Sequence, residues 1–536
     1  MVRGSIPRRP TFNDQPDRDS RRAGCRGTNA PLAASRSFPP GLQYAGRVRR
    51  DAILALMLTL CDVACSHGET LLGGADPRPT AASSEAAARG SASGRTGALD
   101  APAGQPPVAD RDGVTGAPSA KPRVYVKNRY VFVRPRPDVN ADWLGFLWFG
   151  ASVELRGSEP GPVRGPGCTS FYAIEPVGFV CVDEKQATLS AEDAVFKAVA
   201  SYAPRLEQAA PHRYAESLGA ELRTEVPGVP SLLPTLPPFF HEARRRLLPL
   251  STLAYVAEPN DERQGWLLSA DLLWVNKQQV TFYPEIQFHG VELGSEWHLP
   301  LAFFRRADSR KFRLNAAGRF ERCDESFALH SVVSLTERIE IQRGERYFET
   351  VGGRAWVREQ DAVLPMPRSR TPWGARVGQP DQTGLGPKDP RQTWIEVSVL
   401  GGWLLAFEGT KPVFATMVSA GRGGIPQEGK NTLEIAATPV GTFPISGKLA
   451  TVTLQAPGEY VHSDVPWTQN FQKPYAIHTA YWHDNWGNLQ SGGCINVSPI
   501  DGKWLFDFSE PKLPPGWHAV RWQPSTGAPT LLVVHE

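Results

Sequence analysis

From Arg123 onward the apolar residues of this chain come in short runs closed by turn residues, not in the 3.6-residue period that a long helix needs. Val124-Tyr125-Val126, Tyr130-Val131-Phe132-Val133, Trp143-Leu144-Gly145, Ala151-Ser152-Val153-Glu154-Leu155 and Gly178-Phe179-Val180-Cys181 follow one another with polar breaks between them. Short runs bounded by turns read as strands. Fifty glycines and 49 prolines in 536 residues supply the breaks, well above ordinary usage. With 24 Phe, 15 Trp and 12 Tyr, most of the chain carries enough apolar surface to fold. At about 150 residues per domain the length implies three or four units. The fold class expected is therefore mainly β and multi-domain. Lys+Arg is 58 against 55 Asp+Glu, a net charge of +3, which leaves no electrostatic footprint for nucleic acid.

The first 65 residues read as an address. Residues 1–46 are rich in Arg, Pro, Gly and Ser without a hydrophobic period. Arg47, Arg49 and Arg50 then precede a short apolar run over 52–60, the pattern of an export signal and too short for a membrane-spanning helix. Asp62-Val63-Ala64-Cys65 is similar to a bacterial lipobox, with Asp62 where an apolar residue is usual. Lipidated Cys65 is thus the candidate membrane anchor, and the periplasm or cell envelope the expected location. Residues 66–122 are an Ala/Gly/Pro/Ser linker. Of seven cysteines, Cys168, Cys181, Cys323 and Cys494 remain beyond the address. In an oxidising compartment Cys168 and Cys181 are expected to pair; the alternative is two reduced cysteines in a small β core.

The rest divides by composition. Residues 123–187 carry five short strands and resemble a bacterial SH3-like barrel. A region of unknown role follows over 188–300; it opens with a helix capped by Ser190 with Asp193 three positions on, running to Tyr202. A second SH3-like pattern occupies 301–365, a Pro/Gly-rich linker 366–391, and a tail 525–536. Between them, 392–524 begins as a β-meander: Trp394-Ile395-Glu396-Val397-Ser398-Val399 alternates, Gly401-Gly402 turns, a second strand returns, and Gly409-Thr410 turns into a third.

Chemistry concentrates near the end of that segment. Ala476-Ile477-His478-Thr479 closes a predicted strand, and Ser491-Gly492-Gly493-Cys494-Ile495-Asn496 forms a glycine-rich turn before Ser498-Pro499, a helix start. Glycines there allow close substrate approach and aim N–H groups at a developing oxyanion, while N–H dipoles and an imidazole favour a reactive thiolate. A zinc site from His462, His478, His483 and Cys494 lacks paired ligand spacing, so neither metal nor cofactor is expected.

His478, Gly487 and the Ser491–Asn496 run, with Thr438-Pro439-Val440-Gly441-Thr442-Phe443 upstream, resemble the catalytic domain of the L,D-transpeptidases (YkuD type), a mixed β-sandwich or barrel-like fold. Gly492 departs from the family's usual His. The resemblance implies Cys494 as nucleophile toward peptidoglycan stem peptides, His478 as general base oriented by the Thr479 carbonyl, and the N–H groups of Gly493 and Cys494 as oxyanion donors. Ser491, Asn496, Tyr481, Trp482 and His483 are the expected substrate-side residues. It further implies an exported enzyme that remodels or cross-links peptidoglycan through a cysteine thioester. The alternatives are a wall-binding protein without activity and an L,D-carboxypeptidase that uses water as acceptor.

Overall fold

A computed structural model describes residues 121–157, 161–230, 246–384, 392–455 and 460–536. The expected export segment, the lipobox at Cys65, nearly all of the 66–122 linker and part of the 366–391 linker lie outside the described residues. The molecule is mainly β, with several sheets and few helices, as the short apolar runs require.

The C-terminal segment is a two-sheet sandwich. One six-stranded sheet orders Val291–Glu292, Lys411–Met417, Trp403–Glu408, Thr393–Ser398, Leu531–His535 and Gly441–Pro444. The meander read from the sequence supplies its middle, with Thr393–Ser398 antiparallel to Trp403–Glu408 around the Gly401-Gly402 turn. The facing seven-stranded sheet orders Val131–Val133, Gly145–Leu147, Ala519–Arg521, Gly447–Gln455, Val461–Gln472, Tyr475–Thr479 and Ile495–Val497. Ile395, Val397, Leu404, Ile477, Ile495, Leu505 and Leu532 meet between them as one core. Helix Pro499–Phe508 starts at Ser498, whose hydroxyl accepts from the Asp501 N–H at 3.1 Å, with Pro499 in the first turn.

Both sheets recruit strands from far upstream. Val131–Val133 and Gly145–Leu147 belong to the β-rich region expected at 123–187, yet they extend the second sheet by pairing with Ala519–Arg521. Val291–Glu292 does the same for the first sheet. What stays local in the N-terminal region is the sheet Ser152–Glu154, Arg123–Val126, Ala187–Thr188 and the sheet Val163–Gly165, Cys168–Ala173, Phe179–Cys181. Cys168 and Cys181 are disulfide-bonded, with Cα atoms 6.1 Å apart.

Two further six-stranded sheets fill the middle: one from strands within 213–282, the other from strands within 301–358. The helix expected from Ser190 to Tyr202 is shorter. It spans Ala194–Ala200 and is capped by Asp193, whose carboxylate accepts from the N–H groups of Val195 and Phe196. Asp193 wins because Lys127 holds its second oxygen at 3.3 Å, while the Ser190 hydroxyl is spent on the Glu192 N–H.

Candidate active site

The strand Tyr475–Thr479 runs parallel to Ile495–Val497, with His478 opposite Asn496. A parallel pair needs a crossover connection, and here residues 480–494 supply it. The two strands at this edge of the sheet thus carry His478 near the end of one and Cys494 just before the start of the other, sixteen positions apart in sequence.

His478 is buried, and its bonds fix its tautomer. Nδ1 lies 3.0 Å from the Thr479 carbonyl and so donates to it; Nε2 accepts from Asn496 Nδ2 at 3.1 Å. The Asn496 Oδ1 accepts in turn from His483 Nε2 at 3.3 Å, and His483 Nδ1 accepts from the Asn485 N–H. Both imidazoles are thus neutral, each with a defined proton. Burial, reinforced by His483, pushes the His478 pKa down to about 4 against the opposing Thr479 carbonyl. His483 is lowered chiefly by burial. His462, which stacks on Trp482 with ring centroids 3.9 Å apart, falls to about 3 through burial and its two imidazole neighbours.

The Cys494 turn is held from below. Cys494 is half-buried and its thiol is in no disulfide. The Ser491 hydroxyl donates to the Cys494 carbonyl at 2.5 Å and accepts from the Gly493 N–H at 3.0 Å. The Gly493 N–H, expected to face an oxyanion, is therefore engaged by Ser491, because the tight turn brings that hydroxyl under it. Thr438 ties the turn to the neighbouring loop, donating to the Gly493 carbonyl and accepting from the Gly421 N–H. Gly493 has φ of +129°, and a Cβ there would stand 2.7 Å from Tyr475 Cε1. The Tyr475 pKa rises to about 12, through burial first and the Cys494 charge second.

Of the other residues expected on the substrate side, Asn496 and Ser491 lie in the network just described, and Trp482 borders it with its ring 5.9 Å from His478. Tyr481 lies outside that network. It is 5% exposed, stacks on Tyr214 at 3.6 Å, and gives its hydroxyl to the Ser463 carbonyl. The driving force is the apolar face of a ring three residues past His478, buried by strands that the sequence left without a role. The sequence reading weighed His462 beside His478 only as part of a zinc set; here it stacks on Trp482 and feels both His478 and His483. That reading missed the clamp on the 484–488 turn: Arg305 donates to the Gly487 carbonyl at 2.6 Å, Phe288 stacks on Trp486, and His330 lies 3.7 Å from Asp484. Among the described residues no group of three or more His, Cys, Asp and Glu is placed to hold a metal ion, and no helix is long and apolar enough to cross a membrane.

The site is thus a neutral, tautomer-fixed imidazole on one edge strand of a β-sandwich and a glycine-turn cysteine leading into the adjacent strand. Residues 392–517 match the YkuD family, the L,D-transpeptidase catalytic domain, so this stretch carries that domain. Among solved structures, the chain is similar to an L,D-transpeptidase from Stackebrandtia nassauensis (22% identity, 28% of this chain and 57% of that one, TM-score 0.19). It is likewise similar to a mutant L,D-transpeptidase from Enterococcus faecium (22%, 27% and 50%, 0.20) and to an L,D-transpeptidase from Mycobacterium smegmatis (15%, 43% and 79%, 0.20). The chain thus spans only about half the length of the first two. No curated protein matches it.

Proposed function

We propose that this protein is an exported, envelope-associated L,D-transpeptidase that remodels or cross-links peptidoglycan through a cysteine thioester. The observation that carries the reading is the pairing of the His478 and Asn496 strands at the edge where Cys494 stands, inside the segment that matches the catalytic domain. The Cys168–Cys181 disulfide accords with an oxidising compartment.

In this reading His478 Nε2, lone pair available at neutral pH, exchanges the Asn496 amide for the thiol proton of Cys494. The thiolate attacks the carbonyl of the penultimate, L-centred residue of a stem tetrapeptide. The N–H groups of the Gly493–Cys494 turn steady the oxyanion, the Gly493 N–H turning from Ser491 to do so. Collapse forms the thioester and breaks the bond to the terminal D-amino acid, whose nitrogen leaves with the proton carried by His478. An amine of a second stem peptide then attacks the thioester, passes its proton to His478, and releases the cysteine.

Incubation of the purified chain with tetrapeptide muropeptides tests this. The expected result is a cross-linked product that disappears in Cys494→Ala, together with a carbapenem adduct of one equivalent on Cys494 by intact mass. Equal product from Cys494→Ala, or sedimentation with sacculi but no adduct, overturns it.

A further inference from the structure

The region 188–300 has no role in the chemistry above, yet it builds a large cavity against the catalytic segment. The cavity measures about 930 Å³, at the upper end of the range for small-molecule sites. One wall is the loop that follows helix Ala194–Ala200, with Tyr202, Arg205 and Gln208; a second is the sheet of strands within 213–282, with Tyr255, and Tyr283 just after its last strand. The third wall is Tyr481, Pro499 and Ile500. Both chain segments that bear the Cys–His pair therefore run directly into it. Tyr481 is three residues from His478, so its Cα lies within about 11 Å of the His478 Cα by chain reach alone.

The lining mixes ring faces with exposed polar groups at the mouth. The side chains of Arg205, Gln208 and Glu285 have no hydrogen-bond or ion-pair partner among the described residues. Half-buried Tyr202 and Tyr283 offer ring surface beside them. Aromatic faces flanked by guanidinium, amide and carboxylate groups suit a ligand with apolar C–H faces and a rim of hydroxyl and acetamido groups, which is a saccharide. A lipid tail would make no use of the polar rim, and an extended peptide has no repeated flat face to lay on the rings.

We propose that this cavity binds the glycan strand that carries the stem peptide, and that residues 188–300 serve to seat it. The assignment rests on the peptidoglycan reading of the Cys–His site.

The test uses the full chain carrying Cys494→Ala and a peptide-free tetrasaccharide of alternating N-acetylglucosamine and N-acetylmuramic acid, titrated by calorimetry beside a free stem tetrapeptide. The tetrasaccharide binds, and Arg205→Ala with Gln208→Ala, both at exposed positions, weakens it at least tenfold. In the chain with Cys494 intact, the same pair lowers kcat/KM for glycan-linked stem peptide and leaves that for the free tetrapeptide unchanged. No tetrasaccharide binding, binding that ignores the pair, or competition for the cavity by the free tetrapeptide overturns the proposal. Glycan binding without turnover removes the catalytic reading and keeps the cavity; turnover without glycan binding does the reverse.

Discussion

At the scale of single residues, Asn496 is the hinge of the site. Its amide is oriented by two imidazoles that want opposite things: His483 Nε2–H needs an acceptor and His478 Nε2 needs a donor. Cutting the side chain back in Asn496→Ala loosens the buried His478 ring and leaves the half-buried His483 N–H without its acceptor. Acylation by a carbapenem is expected to slow roughly tenfold to a hundredfold, since small misplacements of a reacting group have effects of that order; stopped-flow absorbance at pH 7 reads it, and an unchanged rate refutes the role. Gly493 is constrained differently. A methyl group there collides with Tyr475 and stands 2.9 Å from the Ala437 carbonyl, at a φ that L residues avoid. Gly493→Ala should lower stability by about 1–3 kcal/mol, measured as a fall in the urea midpoint with an unchanged slope.

At the scale of elements, the crossover from Tyr475–Thr479 to Ile495–Val497 and on into the following helix is the unit that makes the site. Ser498 fixes where that helix begins, and its side chain is fully buried. Ser498→Ala is expected to cost about 1 kcal/mol, seen by chemical denaturation; a neutral result would mean that packing alone sets the helix start. Much of this unit was legible in the sequence because its cues are local. Ser498-Pro499 marks the cap, Gly401-Gly402 the hairpin, and strand-forming residues around His478 the strand end. Cys168 and Cys181 bracket a hairpin, so their pairing needed only short-range geometry. What stayed hidden is non-local. Nothing in Val131-Phe132-Val133 announces a partner strand near residue 520, and nothing in Phe288, Arg305 or His330 announces the turn they hold. The misplaced helix cap has the same cause: Asp193 outcompetes Ser190 through Lys127, 66 residues upstream.

At the scale of the whole molecule, buried titrating groups sit where distant segments meet, and they make the fold sensitive to acid. Burial drives His212 and His478 to about 4, and His462 and His518 to about 3, all from 6.5. A histidine whose folded pKa is depressed takes up its proton on unfolding, so its contribution is complete above pH 6.5 and is lost as pH falls toward the folded value. Asp501, raised to about 6 by burial, has the opposite sign and its contribution is lost between pH 3.8 and 6. Asp271 is raised by burial as well, but His330 and His483 are lowered with the four, so the depressed histidines outnumber the raised carboxyls and the expected slope is positive: Tm should fall steadily from pH 7 to pH 4.5, and a flat profile would contradict the burial of these rings. The junction itself turns on Arg129, from the N-terminal region. Its guanidinium lies over Trp148 at 4.8 Å, donates to the Ala270 carbonyl and the Asp271 carboxylate, and stands 4.0 Å from Asp464 on the long strand Val461–Gln472. Asp464 is 1% exposed, and Arg129 first among its charged neighbours keeps its carboxyl below the usual range in spite of burial. Arg129→Met keeps most of the volume and removes the charge, leaving a buried carboxylate without its cation, a change that costs about 3–5 kcal/mol. The loss should be largest at pH 7 and shrink as acid protonates the stranded carboxylates, so denaturation of wild type and variant at pH 7 and pH 5 separates lost charge from lost packing: a penalty that does not change with pH would assign it to packing.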